Sequence, residues 1–226
     1  MNGTLYIVAT PIGNLQDITL RALETLQAVD VIVCEDTRVT SKLLAAHNIA
    51  KPLKSIHAHA SDNAVQRIIE LLKEEKNAAY VSDAGTPNVN DPGGVLVEAA
   101  FEAKYPVVSI PGPSALTAAI SVCGLPMDEF TYLGFVPHKK GRMTFFKNVS
   151  ENVSSSVFLE STHRIEKTLD ALVETLDPRR TIFIGRELTK MHESLYRGTA
   201  TVVRDRIRAT STKGEFIIII GPKPKA

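Results

Sequence analysis

The segment AAYVSDAGTP at residues 78–87 joins a short apolar run to a loop of glycine, proline and small polar residues. Ala78–Val81 has the length and composition of a buried β-strand, so residues 82–87 follow at its carboxyl end. Small residues let the backbone approach a ligand closely, and Asp83 can accept hydrogen bonds from a hydroxyl or ammonium group. The segment predicts a strand followed by a ligand loop, with a simple Asx turn or helix cap as the alternative.

Two further loops share this character. Residues 10–15, TPIGNL, follow the apolar residues 5–9, and residues 111–115, PGPSA, follow the apolar run Val107–Ile110. In parallel α/β sheets, ligands bind beyond the carboxyl ends of the strands. Each loop alone has turn or cap chemistry as its alternative, but the three together favour a ligand cleft.

Between these loops, strand and helix patterns alternate. Further strands are predicted at residues 30–34 and 53–57. Helical patterns are predicted over residues 18–26, 37–46 and 62–72, from an Asp91 N-cap with Pro92 at the first helical position, and from Ser114 onward. Parallel neighbours need crossover helices, so the first half predicts an α/β fold with a mainly parallel sheet.

The second half is richer in strands. Strands are predicted at residues 131–136, 157–160, 181–185, 198–203 and 216–220, a helix at 163–176, and polar loops at 150–156 and 204–214. This order favours a sheet of mixed direction. We therefore predict two domains, residues 1–123 and 124–226, with the boundary near Gly124-Leu125-Pro126.

Composition sets the broad class. Hydrophobic residues make up 44% of the 226 residues and charged residues 23%, as in ordinary globular proteins. No run approaches the roughly 18–20 apolar residues of a membrane span, and no signal peptide is evident. Cys34 and Cys123 lie in apolar segments and are predicted to be buried thiols rather than a disulfide framework or a metal site. We expect a cytoplasmic protein with no membrane partner and no metal.

Charge is distributed unevenly between the two halves. Residues 1–115 contain 9 Lys and Arg against 13 Asp and Glu, whereas residues 116–226 contain 17 against 12. The basic clusters are residues 138–142, Arg179-Arg180 and residues 204–208. They predict a local nucleic-acid surface on the second half, with an ordinary solvated surface as the alternative.

The loops lack the signatures of nucleotide enzymes. Residues 10–15 contain one glycine and no lysine, so they match neither the dinucleotide-binding G-x-G-x-x-G pattern nor a Walker A loop. A nucleotide-dependent kinase or reductase is disfavoured.

Eight motifs in one order carry a family resemblance. They are TPIGNL at 10–15, EDTR at 35–38, VSDAGTP at 81–87, DPG at 91–93, PGPSA at 111–115, ESTHR at 160–164, RELTK at 186–190 and KGE at 213–215. The chain resembles the S-adenosylmethionine-dependent methyltransferases of the tetrapyrrole methylase superfamily from about residue 4 to 220. Within it, the chain resembles the ribosomal RNA small subunit methyltransferase I branch, the 16S rRNA (cytidine-2′-O)-methyltransferases.

The resemblance implies a two-domain tetrapyrrole methylase-like fold, a homodimer, and S-adenosyl-L-methionine held in the cleft between the domains. The residues implied to bind the cofactor are Pro11, Ile12, Gly13, Ser82, Asp83, Ala84, Gly85, Ser114, Ala115, Ser161, Leu188, Gly214 and Glu215. Contacts with 16S rRNA of the small subunit are predicted for Arg38, Lys139, Lys140, Arg142, Arg164 and Arg186.

The implied reaction is attack of a ribose 2′-hydroxyl on the methyl group of the donor. A hydroxyl is a weak nucleophile, so a general base should assist. The candidates are Glu35 or its neighbour Asp36, Glu160, His163 and Glu187, and the sequence leaves the choice open. Two alternatives remain: a methyltransferase of the same superfamily acting on a tetrapyrrole or a protein side chain, and a non-catalytic RNA-binding module.

Overall fold

The computed structural model describes residues 3–56, 62–91 and 93–224, with Asp62 described by its backbone only. The chain forms two compact units, Met1–Ser114 and Ala115–Ala226. The division precedes helix α5 (Ala115–Cys123), whose residues Ala119 and Cys123 are buried among the apolar side chains of the second unit. The limits 1–123 and 124–226 stay a prediction.

The first unit alternates strands and helices. Its elements are β1 (Leu5–Val8), α1 (Leu20–Ala28), β2 (Val31–Cys34), α2 (Thr37–Ala46), β3 (Leu53–Ser55), α3 (Asp62–Lys73), β4 (Ala78–Val81), α4 (Gly94–Glu102) and β5 (Val107–Ile110). The strands form one parallel sheet in the order β3-β2-β4-β1-β5. The predicted parallel sheet is confirmed.

Both faces of this sheet are covered. Strands β2 and β4 are buried along their whole length because alternate residues point into two separate apolar clusters. Val81 packs in the cluster with Leu26 and Leu43, whereas Tyr80 packs in the other with Ile68. Such continuous apolar strands are typical of parallel sheets between helices.

The second unit continues after α5 with a mixed sheet. Its further elements are β6 (Phe130–Phe135), α6 (Arg142–Glu151), β7 (Ser155–Ser161), α7 (Ile165–Thr175), β8 (Thr181–Arg186), β9 (Ser194–Thr199), α8 (Ala200–Thr210) and β10 (Glu215–Ile220). The strand order is β6-β7-β10-β8-β9, with β6 parallel to β7 and the other pairs antiparallel. The predicted mixed sheet is confirmed.

Helix α8 (Ala200–Thr210) corrects two predictions, a strand at residues 198–203 and a polar loop at 204–214. Residues 198–203 were expected to be a strand, but β9 ends at Thr199 and α8 begins at the next residue. The Thr199 side chain accepts a hydrogen bond from the backbone N–H of Val202, as a helix N-cap does. Val203 and Ile207 are buried one helical turn apart, and this period outweighs the β-branched composition.

Three helix boundaries also differ from the predictions. The polar loop expected at residues 150–156 is occupied by the end of α6 and the start of β7. Helix α7 begins at Ile165 rather than at residue 163. Helix α4 begins at Gly94 with Gly93 as its cap, so Asp91 is not the N-cap, and Pro92 lies outside the described residues. A Cβ atom at Gly93 would lie 2.8 Å from Cε1 of Tyr80, so glycine permits this close approach of the α4 cap to the sheet.

The two thiols are free and buried, as predicted. Among the residues that the structure describes, the helices are too short or too polar to span a membrane.

Candidate functional site

The carboxyl ends of β1 and β4 are tied together by their loops. The backbone N–H of Thr10 donates to the carbonyl of Gly85 at 2.9 Å, and the N–H of Gly85 donates to the carbonyl of Thr10 at 3.0 Å. The Thr10 hydroxyl also donates to the carbonyl of Ser82 at 3.2 Å. The first and second predicted cofactor loops therefore form one backbone surface.

Glycine at position 85 makes this surface possible. Gly85 has φ of +82°, and a Cβ atom there would lie 3.2 Å from Cγ2 of Ile12. The neighbouring Thr86 hydroxyl donates to the carbonyl of Pro113 at 3.0 Å, which joins the third loop to the second. The structure thus brings together the three loops. The predicted cofactor residues on them are Pro11, Ile12, Gly13, Ser82, Asp83, Ala84, Gly85 and Ser114.

The end of β2 meets the same edge through two acidic residues. The backbone N–H of Asp83 donates to Oε1 of Glu35 at 3.3 Å, and the N–H of Asp36 donates to Oδ1 of Asp83 at 3.1 Å. Asp36 caps α2 and forms a bidentate ion pair with Arg38, whose side chain is 86% exposed. Asp36 therefore has a cationic partner, whereas Glu35 is held by a backbone N–H.

Glu35, Asp83 and Asp91 form what we call the acidic edge. Burial, with the charges of Asp91 and Asp83, raises the pKa of Glu35 to about 7, although the Asp83 N–H lowers it in part. Burial and the charge of Asp83 also raise the pKa of Asp91, against a hydrogen bond from the Ser82 hydroxyl that lowers it. Among the described residues, no Lys or Arg forms a salt bridge with these three carboxyl groups. The acidic edge therefore favours a cation or a hydroxyl donor as its ligand.

Tyr80 lies beneath this edge on β4. Its side chain is fully buried, and its hydroxyl has no hydrogen-bond partner among the described residues. Burial and the charges of Glu35 and Asp91 raise its pKa, so the phenol stays neutral. No sequence motif pointed to Tyr80, and the Asp91-Pro92 pair suggested only a helix cap for Asp91.

The carboxylate of Glu160, at the end of β7, is fully buried and fully paired. Its Oε1 accepts from Nη2 of Arg164 at 2.9 Å and from the backbone N–H of Ser161 at 2.8 Å. Its Oε2 accepts from the Thr168 hydroxyl at 2.6 Å and lies 3.5 Å from Nη1 of Arg142. Arg142 and Arg164, which were predicted to contact rRNA, thus contact Glu160, which was predicted as a candidate general base.

Glu187, in the RELTK segment, is also a carboxylate with protein partners. Its Oε1 accepts from Nζ of Lys190 at 3.0 Å and from the backbone N–H of Glu215 at 2.8 Å. Burial opposes its ionisation, but these two donors hold its pKa below its usual range. A Cβ atom at Gly214, whose φ is +121°, would lie 2.6 Å from Cγ of Glu187. Glu187 therefore connects the RELTK segment to the backbone at the start of β10.

The basic residues of the second unit differ in exposure. Arg180, expected in a surface cluster, is 1% exposed, so that prediction is wrong. Its guanidinium donates to five backbone carbonyls, those of Val149, Ser150, Asn152, Ser154 and Gly221. Its guanidinium therefore stabilises the end of α6 and is not available to a ligand.

Several other arginines have protein partners. Arg204 and Arg208 pair with Asp170, and Arg186 donates to the carbonyls of Lys213 and His192. Lys139 and Lys140, in contrast, lie exposed in the turn before α6, and His163 is exposed before α7.

The comparison with protein families identifies the class. Residues 4–203 match the family model described as Tetrapyrrole (Corrin/Porphyrin) Methylases. Among solved structures, uroporphyrin-III-C-methyltransferase from Thermus thermophilus has a TM-score of 0.68 at 19% identity, over 97% of this chain and 94% of that one. A cobalt precorrin-4 methyltransferase has a TM-score of 0.70 at 15% identity, over 96% and 94%. At these identities the likeness shows the fold, which is that of the tetrapyrrole methylases.

Curated relatives narrow the class. Ribosomal RNA small subunit methyltransferase I of Mesorhizobium japonicum is 46% identical over 96% of this chain and 75% of its own length. The Thermotoga maritima protein of that name is 42% identical over 98% and 99%. The chain belongs to the ribosomal RNA small subunit methyltransferase I family, within the tetrapyrrole methylases. The predicted family, the fold and the methyltransferase class are confirmed.

Proposed function

We propose that this chain transfers a methyl group from S-adenosyl-L-methionine to the ribose 2′-oxygen of a cytidine in 16S rRNA, in the decoding centre of the small ribosomal subunit. The names of its relatives support rRNA of the small subunit as the substrate. The observation that carries the proposal is the acidic edge at the strand ends of the first unit. Its carboxyl groups have no salt-bridge partner among the described residues. They lie beside loops whose small residues let a ligand approach the backbone closely.

The acidic edge fits the chemistry of the methyl donor. When bound, S-adenosyl-L-methionine supplies a methyl group activated by a sulfonium, and it also carries an ammonium and a ribose diol. Asp83 is exposed at the end of β4 and can accept hydrogen bonds from an ammonium or a hydroxyl. The loops that contain residues 11–13 and 82–85 are joined by the Thr10–Gly85 hydrogen bonds, so we assign the cofactor to the surface that they form. The predicted contacts at Ala115, Ser161, Leu188, Gly214 and Glu215, in the second unit, stay predictions.

Among the candidate bases, we propose Glu35 as the proton acceptor. Asp36, Glu160 and Glu187 each have a cationic partner, which stabilises the carboxylate and weakens it as a base. Glu160 also has no exposed surface. Glu35 has a pKa of about 7, so it is partly ionised at neutral pH and can still take up a proton. His163, which is exposed before α7 in the second unit, stays a candidate from the sequence.

For the rRNA contacts, we propose Lys139 and Lys140 first. Both are exposed and belong to the excess of positive charge in the second half. Lysines of this kind bind phosphates without selecting sequence. Arg38 is exposed but paired with Asp36, and Arg142, Arg164 and Arg186 donate to groups of the protein itself. A homodimer and a cytoplasmic location complete the proposal.

The test is incubation of the purified protein with radiolabelled S-adenosyl-L-methionine and small subunits isolated from cells that lack this methylation. We expect label in 16S rRNA, mapped to one cytidine and resistant to alkaline cleavage because its 2′-oxygen is methylated. Small subunits that already carry the modification are the matched control and should stay unlabelled. Label on a base or on a ribosomal protein, or no label at all, would overturn the proposal.

A further inference from the structure

The ESTHR segment contains a buried group of charges that the proposed reaction does not use. Glu160 lies between the guanidinium groups of Arg142 and Arg164, whose side chains are only 17% and 15% exposed. We call these three residues the clamp. Removing two arginines and a carboxylate from water costs free energy that their attraction does not reliably return, so a buried ion pair is weak evidence for a stabilising role. A role other than stabilising the fold therefore has to explain why these three charges are buried together.

Both arginines also reach the same short stretch of backbone. Nη1 of Arg164 donates to the carbonyl of Val136 at 2.7 Å, and Nη1 of Arg142 donates to the carbonyl of Pro137 at 3.4 Å. These two carbonyls immediately precede residues 138–141, which we call the basic turn. Arg164 thus binds Glu160 and the start of the basic turn through separate nitrogens, whereas Nη1 of Arg142 lies close to both Glu160 and the Pro137 carbonyl.

The far end of the basic turn is fixed by helix α6. Gly141 has φ of +85° and forms the helix cap, and its carbonyl accepts from the N–H of Phe145 at 2.8 Å. Arg142, the first residue of α6, lies with its guanidinium 5.0 Å from the ring centre of Phe146. Between these two fixed ends lie His138, Lys139 and Lys140, whose side chains are exposed to solvent.

We infer that the clamp is a positioning device that presents Lys139 and Lys140 to the phosphate backbone of the substrate RNA. Glu160, Arg142 and Arg164 are then positioning residues, and the two lysines are the groups that touch RNA. The inference rests on the proposed function, because it takes rRNA as the substrate. A fork-shaped guanidinium suits the task, since one group can hold a carboxylate and a carbonyl in fixed directions.

The experiment compares four variants by steady-state kinetics on unmodified small subunits at several salt concentrations. They are Lys139→Ala/Lys140→Ala, Glu160→Gln, the triple variant that combines them, and Lys54→Ala/Lys73→Ala. The last pair removes two exposed lysines from the first unit and is the matched control for the change in net charge. Calorimetric binding of S-adenosyl-L-methionine and urea unfolding show that each variant is folded.

For the lysine pair we expect KM for small subunits to rise about tenfold, the size of a typical coupling between contacting groups. The slope of log kcat/KM against log salt should become shallower by roughly 0.7–0.9 for each phosphate that the variant no longer binds. Glu160→Gln should raise KM and flatten the slope in the same direction, with kcat at saturation and cofactor affinity unchanged. The triple variant should be no worse than the lysine pair, because the clamp acts through the lysines.

Several outcomes would overturn the inference. In one, folded Glu160→Gln keeps the KM and salt slope of the wild type. In another, the effects of the lysine pair and of Glu160→Gln simply add in the triple variant. If Glu160→Gln does not fold, Arg164→Lys takes its place, because lysine keeps the charge but has one nitrogen where Arg164 uses Nη2 for Glu160 and Nη1 for the Val136 carbonyl. Wild-type protein that does not methylate small subunits would instead refute the proposed function, so the two failures are distinguishable.

Discussion

Two carboxylates at the ends of interior strands, Glu35 after β2 and Glu160 in β7, have opposite environments. Glu35 accepts one long hydrogen bond from a backbone N–H, and its neighbours are other acids. Glu160 is fully buried between two arginines and accepts from a hydroxyl and an N–H as well. Glu35 is therefore available to a ligand, whereas Glu160 holds together parts of its own unit.

This difference shows why motif matches alone do not assign roles. Both residues belong to charged family motifs, and both were candidate bases from the sequence. The number of donors around each carboxylate distinguishes them, because a carboxylate with all its acceptor sites occupied neither binds a substrate proton nor changes partners without a large cost. Four predictions test the comparison.

The largest effect is expected for Glu35→Gln. Loss of a general base typically lowers the rate about 10²–10⁴-fold, so kcat on unmodified small subunits should fall within that range. The wild-type rate should rise with pH through about 7, because only the ionised carboxylate accepts a proton, and the variant should lose this rise. Single-turnover rates between pH 5.5 and 8.5 provide the measurement.

The matched control for Glu35→Gln is Glu187→Gln, which removes a carboxylate that is already paired with Lys190. It should retain the rise in rate near pH 7. A Glu35→Gln enzyme with wild-type rate and pH profile would remove Glu35 from the reaction.

Arg180→Met tests the structural side of the comparison. The guanidinium donates to five backbone carbonyls, so its loss leaves several buried acceptors without donors. We expect the free energy of unfolding to fall by about 3 kcal/mol, measured by urea denaturation. The exposed neighbour offers the control: Arg179→Met should leave the free energy of unfolding nearly unchanged, because an exposed ion pair contributes little to stability. Equal effects of the two variants would contradict the role given to Arg180.

Asp83→Asn probes the acidic edge with a smaller change. Asparagine keeps an oxygen for the Asp36 N–H but removes the negative charge that faces a cationic ligand. We expect the Kd for S-adenosyl-L-methionine to rise about tenfold, as measured by calorimetry, with the protein still folded by urea unfolding. An unchanged Kd would place the cofactor away from Asp83.

The smallest effect concerns stability and pH. The pKa of Glu35 in the folded protein, about 7, exceeds its ordinary value of 4.5, so the folded state binds more protons than the unfolded state between these pH values. Glu35 therefore lowers the free energy of unfolding as pH rises from 4.5 through 7. After allowance for solvent screening, Glu35→Gln should be more stable than wild type at pH 8 by on the order of 1 kcal/mol.

At pH 4 the stability difference between the two proteins should vanish, since Glu35 is then protonated in both states. Urea unfolding of the unliganded protein at pH 4, 6 and 8 measures this. A Glu35→Gln protein that is less stable at pH 8 would show that Glu35 is a structural acid like Glu160.

Much of the fold was predictable where apolar runs are short and sharply bounded. Ala78–Val81, Val107–Ile110 and Thr37–Ala46 lie where the pattern placed them. Helix α8 was not predictable from composition, because its Thr and Val residues favour strands and only its packing on the second sheet fixes the helical period. The start of α4 was misplaced because an Asp-Pro pair resembles a helix start, although Gly93 against Tyr80 sets the true start.

The candidate site also has some features that the sequence predicts and others that it does not. The three small-residue loops were predictable, because tight turns require residues such as Gly85 at positive φ. The partners of the charged residues were not, since Glu160 meets Thr168 and Arg142 only through the packing of α6 and α7 on the second sheet. Asp91 belongs to the acidic edge and Tyr80 lies beneath it for the same reason, through neighbours that are remote in sequence.

The sequence by itself determined the alternation of strands and helices, the loops at the strand ends and the family to which the chain belongs, because these depend on local composition and order. Only the tertiary structure decided which carboxylates are paired and which remain open, and which arginines lie inside. The charge state and reactivity of a side chain depend on the donors, acceptors and water around it, and folding brings those neighbours from distant parts of the chain.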